Sequence, residues 1–392
     1  MSEATVETEI LTEQETAARK KGNGIVTVVA ALVSLVVTVA VLLVVLLGSG
    51  SVVSKAKGNT PDAAVMDKFD MYMTNKISNA LDGVLSIKKV YWLSDSDLVA
   101  PEPNQACYGQ VSTPAELMWL LEEAAELIDG QPMLFNENTP VWSGDKIYYY
   151  YDESILVITW KEAKETSMFT VSEVKVSHPS QFRRFLADGQ YGSDKQYTTT
   201  EMSASVNAVV ASSGDFYKFR QYGTIVYNGQ VQRFEGNNVD TCFIDDNGDL
   251  LFSYRKEFEN QEEAERYVEE NNIRFSLAFG PVLVDDGVPS EFPGYVLGEV
   301  NQQYSRAALC QMDSLHYVLV NSNAEGGYVE GQSIKSFAKH LVDMGIKKAY
   351  ALDGGQTTVI AMNDEMISNV DFGTQRKISD IIYFATAIPG GE

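Results

Sequence analysis

Cysteine and histidine are nearly missing from this chain, with three of each in 392 residues. Cys107, Cys242 and Cys310 stand far apart. So few cysteines exclude a small disulfide-stapled scaffold, although an oxidising compartment could join one pair and leave one thiol over. No spacing points to a metal, and nothing points to a cofactor. Positive charge is also scarce. The 30 Lys and Arg face 54 Asp and Glu, a net charge of −24. Such a surface disfavours nucleic acid and other polyanions as non-specific partners. Repeats are absent, and long apolar runs are absent with one exception.

That exception is Ile25 to Leu47, IVTVVAALVSLVVTVAVLLVVLL, which contains no charged residue. As a helix it spans roughly 34 Å, enough to cross a bilayer. The apolar core of a cleavable signal peptide is shorter, about 7–15 residues. The run therefore reads as an uncleaved signal anchor in a single-pass protein of the cell membrane. Arg19, Lys20 and Lys21 precede it, and Lys55 and Lys57 follow. This small excess places residues 1–24 in the cytoplasm and the C-terminal part outside. The tail, with five Glu and no apolar periodicity, is expected to be disordered.

After a polar connector, apolar residues from Asp62 to Asp82 recur at helical spacing. Thr113-Pro114-Ala115-Glu116 reads as a capping box opening a helix that Gly130 ends. Residues 48–140 are thus expected to form a connector and helical stalk. From Lys146 the texture becomes strand-like, with IYYYYDESILVITWKE and SMFTVSEVKV rich in β-branched and aromatic residues. Asn228-Gly229, Asn247-Gly248 and Asn363-Asp364 read as turns, and Gln261–Glu270 and Ser333–Met344 as helices. Strand, helix and strand follow one another from Tyr317 to Leu352, a local βαβ-type unit, while the mixed strands around it argue α+β. A mixed-sheet domain with packed helices is expected over 141–392.

Six segments resemble, in order, those of the phosphodiester glycosidase family: SASVNAVVASSGDFY, GTIVYNGQVQR, FSLAFGPVLVDDG, SRAALCQ, SIKSFAKHLVDMGIKKAYALDGGQTT and QRKISDIIYFATAI. The resemblance runs from about His178 to Ile388. Two positions depart from the family pattern. Gln356 and Thr357 stand where the family has glycine and serine after Asp-Gly-Gly, and Ser213 replaces an asparagine before Gly-Asp-Phe.

The resemblance implies hydrolysis of a sugar-1-phosphodiester, with an envelope polysaccharide or glycolipid as substrate. Such a site needs carboxylates for an oxocarbenium-like transition state and donors for the phosphate. Asp353 and Asp215 each end an apolar strand beside glycine and are the candidate catalytic carboxylates. Arg306 and Arg376 each begin a strand and are the candidate phosphate forks. Gly354, Gly355 and Gly214 would let backbone approach the ligand, and Thr357 and Thr358 would donate hydroxyls. The alternative is a glycan-binding or sensor module on the same fold, its chemistry removed at Gln356 and Ser213. His316, opening a strand at a rim, and His340, on the solvent side of its helix, are left out of the chemistry. Tyr148 to Tyr151 read as sheet packing, and Asp245-Asp246 and Asp285-Asp286 as turn carboxylates.

The orientation has a direct test. Protease added to intact cells is expected to degrade residues 60–392 and spare the tail. Protection of a C-terminal tag would reverse the assignment.

Overall fold

The structure, a computed structural model, describes residues 91–94, 97–164, 167–235, 238–292, 294–295, 300–323 and 331–390. The apolar run Ile25–Leu47 and the helix expected over Asp62–Asp82 lie outside these residues. Among the described residues no helix is long and apolar enough to cross a membrane.

The fold is a mixed, sheet-rich α+β arrangement. Nine strands form the main sheet in the spatial order Tyr108–Val111, Ile147–Asp152, Ile155–Lys164, Ser167–Val176, His316–Asn323, Arg306–Asp313, Lys348–Leu352, Val282–Asp285 and Val288–Pro289. Ser167–Val176 is buried at every position, Glu173 and Lys175 included, as a strand covered on both faces. Five strands form a second sheet, in the order Glu365–Met366, Ile360–Met362, Val210–Ser213, Asp380–Phe384 and Phe182–Leu186. The two sheets share one core. Phe182 lies 4.9 Å from Tyr317 of the main sheet and 4.8 Å from Phe384 of its own, ring centroid to ring centroid. Each such fully buried side chain contributes about 1.5–3 kcal/mol.

The strand–helix–strand reading has a specific topology. His316–Asn323 and Lys348–Leu352 both run antiparallel to Arg306–Asp313, which lies between them. They are therefore parallel, and the helix Ile334–Asp343 carries the chain over the intervening strand. Ser333 caps that helix by accepting from the Ser336 N–H at 3.0 Å. Asn228-Gly229 and Asn363-Asp364 turn hairpins as expected, with Asn228 and Asn363 in the left-handed region at φ 50° each.

Three expectations need correction. First, the compact unit runs from Lys89 to Glu392 rather than from 141. Tyr108–Val111 pairs with Ile147–Asp152 as the edge of the main sheet. Leu117, Leu120, Leu127 and Phe135 join the main core, and Glu173 accepts the Leu134 and Phe135 N–H groups at 2.6 and 2.8 Å. The residues read as a stalk helix from 113 cover one end of the sheet. They form a 3-10 turn, Pro114–Leu117, and two short helices, Met118–Glu123 and Ala125–Ile128. No capping box forms, because the Thr113 hydroxyl donates to the Glu116 carboxylate at 2.6 Å instead of accepting from backbone. Second, His340 is buried, its ring 4.0 Å from that of Phe169, and burial pushes its pKa down to about 4. Third, His316 is no rim residue: it is fully buried, with Nε2 2.8 Å from Glu173. The three cysteines are all free thiols.

The second sheet holds a buried charge cluster. Arg184 contacts Asp215 at 3.1 Å and Asp380 at 2.8 Å, all three side chains without solvent exposure. Two carboxylates on one guanidinium leave one charge uncompensated. Burial, together with the Asp215 charge and against the pull of Arg184, raises the Asp380 pKa to about 7. That value lies above the unfolded one, so Asp380 binds a proton in the folded state that the unfolded chain releases. Its contribution to stability is full below the ordinary carboxylate range and is lost as pH rises through about 7.

Three outcomes follow from this packing. Arg184→Met should lower stability by about 3–5 kcal/mol in denaturant unfolding, since it strands buried carboxylates, and Asp380→Asn should flatten the fall in stability between mildly acidic and neutral pH. A chain starting at 141 should aggregate or melt without cooperativity, whereas one starting at 89 should elute as a single species with a sharp thermal transition.

Candidate active site

A cleft of about 340 Å³ opens where the ends of the two sheets meet. Its position follows from strand register. Ala307 pairs with Leu352, so Arg306, first in its strand, and Asp353, just past the end of the next, come to the same end of the main sheet. The other wall comes from the second sheet. Phe216 and Arg220 follow the strand Val210–Ser213, and Arg376 precedes its neighbour Asp380–Phe384.

The glycines after Asp353 are required by this geometry. A Cβ on Gly354 would stand 2.5 Å from the Ser305 carbonyl oxygen. Gly355 has φ +69° and donates its N–H to that same oxygen at 3.0 Å. The DGG turn thus lies flat against the start of the Arg306 strand, closer than any other residue pair would allow. The threonines close the turn rather than face a ligand. Thr357 donates to the Gly354 carbonyl at 2.9 Å and Thr358 to that of Gly355 at 2.7 Å, and both are fully buried.

Asp353 is 8% exposed. One of its oxygens accepts the Gly354 N–H at 3.0 Å, and the other is ion-paired with Arg376 Nη2. Burial raises its pKa above the ordinary carboxylate value, while Arg376, the Thr357 hydroxyl and Arg220 pull it down. Three guanidiniums line the cleft, each stacked on an aromatic ring. Arg376 lies 5.1 Å from the Phe216 centroid, Arg220 4.3 Å from that of Phe279, and Arg306 5.2 Å from that of Tyr304. Backbone fixes two of them further. Arg220 donates to the Phe279 carbonyl at 2.8 Å, and Arg306 to those of Gln332 and Gln302 at 2.9 and 2.7 Å. Stacking and carbonyl bonds order these long side chains before any ligand arrives.

The structure therefore brings Asp353, Arg306, Arg376, Gly354 and Gly355 together. It does not bring Asp215 or Gly214 with them. The Asp215 carboxylate turns inward to Arg184 and accepts the N–H groups of Tyr217 and Ala278, both at 2.7 Å. Gly214 packs against Asp380, where a Cβ would collide with the carboxylate. Among the described residues lining the cleft, Asp353 is the only acid. Arg220 and the aromatic partners were not read from the sequence. The signal was faint: Phe216 and Arg220 sit four apart in DFYKFR, a segment whose quoted motif ends one residue after Phe216. Among the described residues no cluster of three His, Cys, Asp or Glu could hold a metal ion.

Residues 206–385 match the family model described as phosphodiester glycosidase. No curated protein matches the chain. Among solved structures, the chain is similar to the catalytic domain of zebrafish N-acetylglucosamine-1-phosphodiester alpha-N-acetylglucosaminidase, auto-inhibited by its pro-peptide. That match has 16% identity, covers 66% of this chain and 92% of the other, and has a TM-score of 0.48. A hypothetical protein from Synechocystis matches at 14% identity over 63% of this chain and 64% of its own, with a TM-score of 0.43. The matched residues, 206–385, include Asp353 and all three cleft arginines.

Proposed function

We propose that the cleft hydrolyses the glycosidic bond of a sugar-1-phosphodiester. The family match supports a glycosidase-type function. The observation that carries the finer reading is that, among the described residues, one carboxylate, Asp353, is set among three guanidiniums in one cleft of a chain whose net charge is −24. Positive charge concentrated against that background selects an anion, and forked guanidiniums suit a phosphate.

One carboxylate suffices for such a substrate. The C1–O bond breaks, its electron pair leaves on a phosphate monoester, and the arginines hold the growing negative charge. Phosphate is a weakly basic leaving group, so no acid is needed to protonate it. What remains is a group to meet the anomeric carbon or to take a proton from the attacking water. Asp353 does this when ionised. The substrate class is an envelope polysaccharide or glycolipid. In this reading Ile25–Leu47 anchors the protein in the cell membrane with this domain outside.

A specific observation also favours a second reading, a glycan-binding or sensor module. Asp215, the other carboxylate of the signature motifs, is locked in the Arg184 cluster. A cleft that binds sugar-1-phosphodiesters without turning any over would establish it.

The distinguishing experiment is turnover of a panel of sugar-1-phosphodiesters. Asp353→Asn is nearly isosteric; it should cut kcat by about 10²–10⁴-fold with an unchanged melting temperature. The pH profile gives a further check. Activity requires ionised Asp353, so the acid limb should lie above the ordinary carboxylate range, where burial has placed this group. Arg376 stabilises the charged form, so Arg376→Gln should move the limb to higher pH and raise KM. A limb that stays in place would remove Asp353 from the rate-determining ionisation.

A further inference from the structure

One aromatic ring beside the cleft has no use in the fold. Phe372 is 90% exposed, well above the next exposed large hydrophobic residue, Trp92 at 66%. It also has φ +61°, a left-handed conformation that is a genuine outlier for a bulky residue. Water contact and backbone strain both count against the folded state here. Such strain persists only where surrounding structure imposes it, and it concentrates at ligand clamps.

The surrounding structure is the cleft itself. Asp371 accepts a hydrogen bond from the Ser305 hydroxyl, and Ser305 lines the cleft. On the other side of Phe372, the Gly373 N–H donates to the Val370 carbonyl at 3.0 Å. The Gln356 amide donates to the Thr374 carbonyl at 3.3 Å, and the Arg376 N–H donates to the Gln356 carbonyl at 3.2 Å. The segment from Asp371 to Arg376 is thus fastened at both ends to the DGG turn and its neighbour. Phe372 stands out from that segment. Its position also orders the site. Asp353 faces the anomeric carbon in the proposed reaction, Arg376 bonds Asp353 and faces the phosphate, and Phe372 is the exposed residue of the segment that leads into Arg376.

We propose that Phe372 is a stacking platform for a sugar ring on the far side of the phosphate, the part of the substrate that leaves with it. The inference rests on the phosphodiester reading of the Asp353 cleft. A pyranose presents a flat face of C–H groups, and an exposed aromatic ring on a fastened backbone matches it without needing hydrogen-bond partners. The hydrogen bonds that fasten the segment mean that its backbone needs little further ordering on binding. Gln356 acquires a role in the same arrangement: its carbonyl and its amide both hold the segment that carries the ring.

The test compares two diesters that share the cleaved sugar. In one the phosphate carries a methyl group; in the other it carries a pyranose. Phe372→Ala in the full-length protein should raise KM for the pyranose diester about threefold to tenfold. Its kcat and melting temperature should not change, and its KM for the methyl diester should not change. Phe372→Trp should restore the wild-type value. Calorimetric binding of the same two diesters to Asp353→Asn, with and without Phe372→Ala, reads the same preference without turnover. Unchanged affinity for the pyranose diester, or equal loss for both diesters, would overturn the platform. Absence of turnover in the wild-type protein with the binding preference intact would sink the catalytic reading and leave the platform standing.

Discussion

Arg184 holds Asp215 and Asp380 together where no water reaches any of the three side chains. Much of the cleft depends on that contact. Because Asp215 also accepts the Tyr217 and Ala278 N–H groups, the chain around residues 214–217 has a single available path. Phe216 lies on that path and carries the Arg376 guanidinium on its ring, with Arg220 at 6.0 Å. Asp380 opens the strand that follows the Arg376 segment, so the same guanidinium anchors both connections that build the second wall. The residues that meet solvent in the cleft are positioned by residues that never meet it. A buried ion cluster gives little net stability over an apolar one of equal volume. Here it specifies where two loops leave their sheet.

The elements legible in the sequence were those that local chemistry decides. Asn-Gly at 228–229 and Asn-Asp at 363–364 turned hairpins because asparagine tolerates the left-handed region. The helix at Ile334–Asp343 was visible from its apolar face and its Ser333 cap. Asp353 stood out because two glycines behind it meant close backbone approach, and Gly354 does lie against Ser305. Asp353 and Asp215 could not be told apart by the same signs. Both follow apolar strands and adjoin glycine, and they differ only in that Arg184 sits beneath one of them. Arg184 lies in FRRFL, where nothing marks which arginine turns inward. His340 and the boundary at 141 failed for a related reason. The ring of Phe169 and the carboxylate of Glu173 decide both, and each is brought in by sheet pairing across long sequence distances.

The net charge and the cleft act at different ranges. At −24 the chain repels an anionic substrate from afar, while the guanidiniums attract it within a few ångströms. Salt screens the first effect more than the second, because the Debye length is about 8 Å at physiological ionic strength and the cleft arginines are partly withdrawn from solvent. The pairing of each guanidinium with a ring and, for two of them, with backbone carbonyls matters in this setting. It reduces the entropy lost when the anion is gripped, which favours capture of a ligand that long-range forces do not deliver.

The second sheet places Phe182–Leu186 beside Asp380–Phe384, so Arg184 finds a partner 196 positions further along the chain. Translation delivers residues in order, and Arg184 emerges long before Asp380 does. Until the last stretch of polypeptide is available, the guanidinium has no second carboxylate and the strand Val210–Ser213 lacks one of its two neighbours. Contacts this distant also fold slowly, since loop closure precedes their reward. The cleft is therefore completed late, after synthesis has passed residue 384, and a chain that stops before Asp380 carries Asp353 opposite a wall that lacks its Arg184–Asp380 anchor.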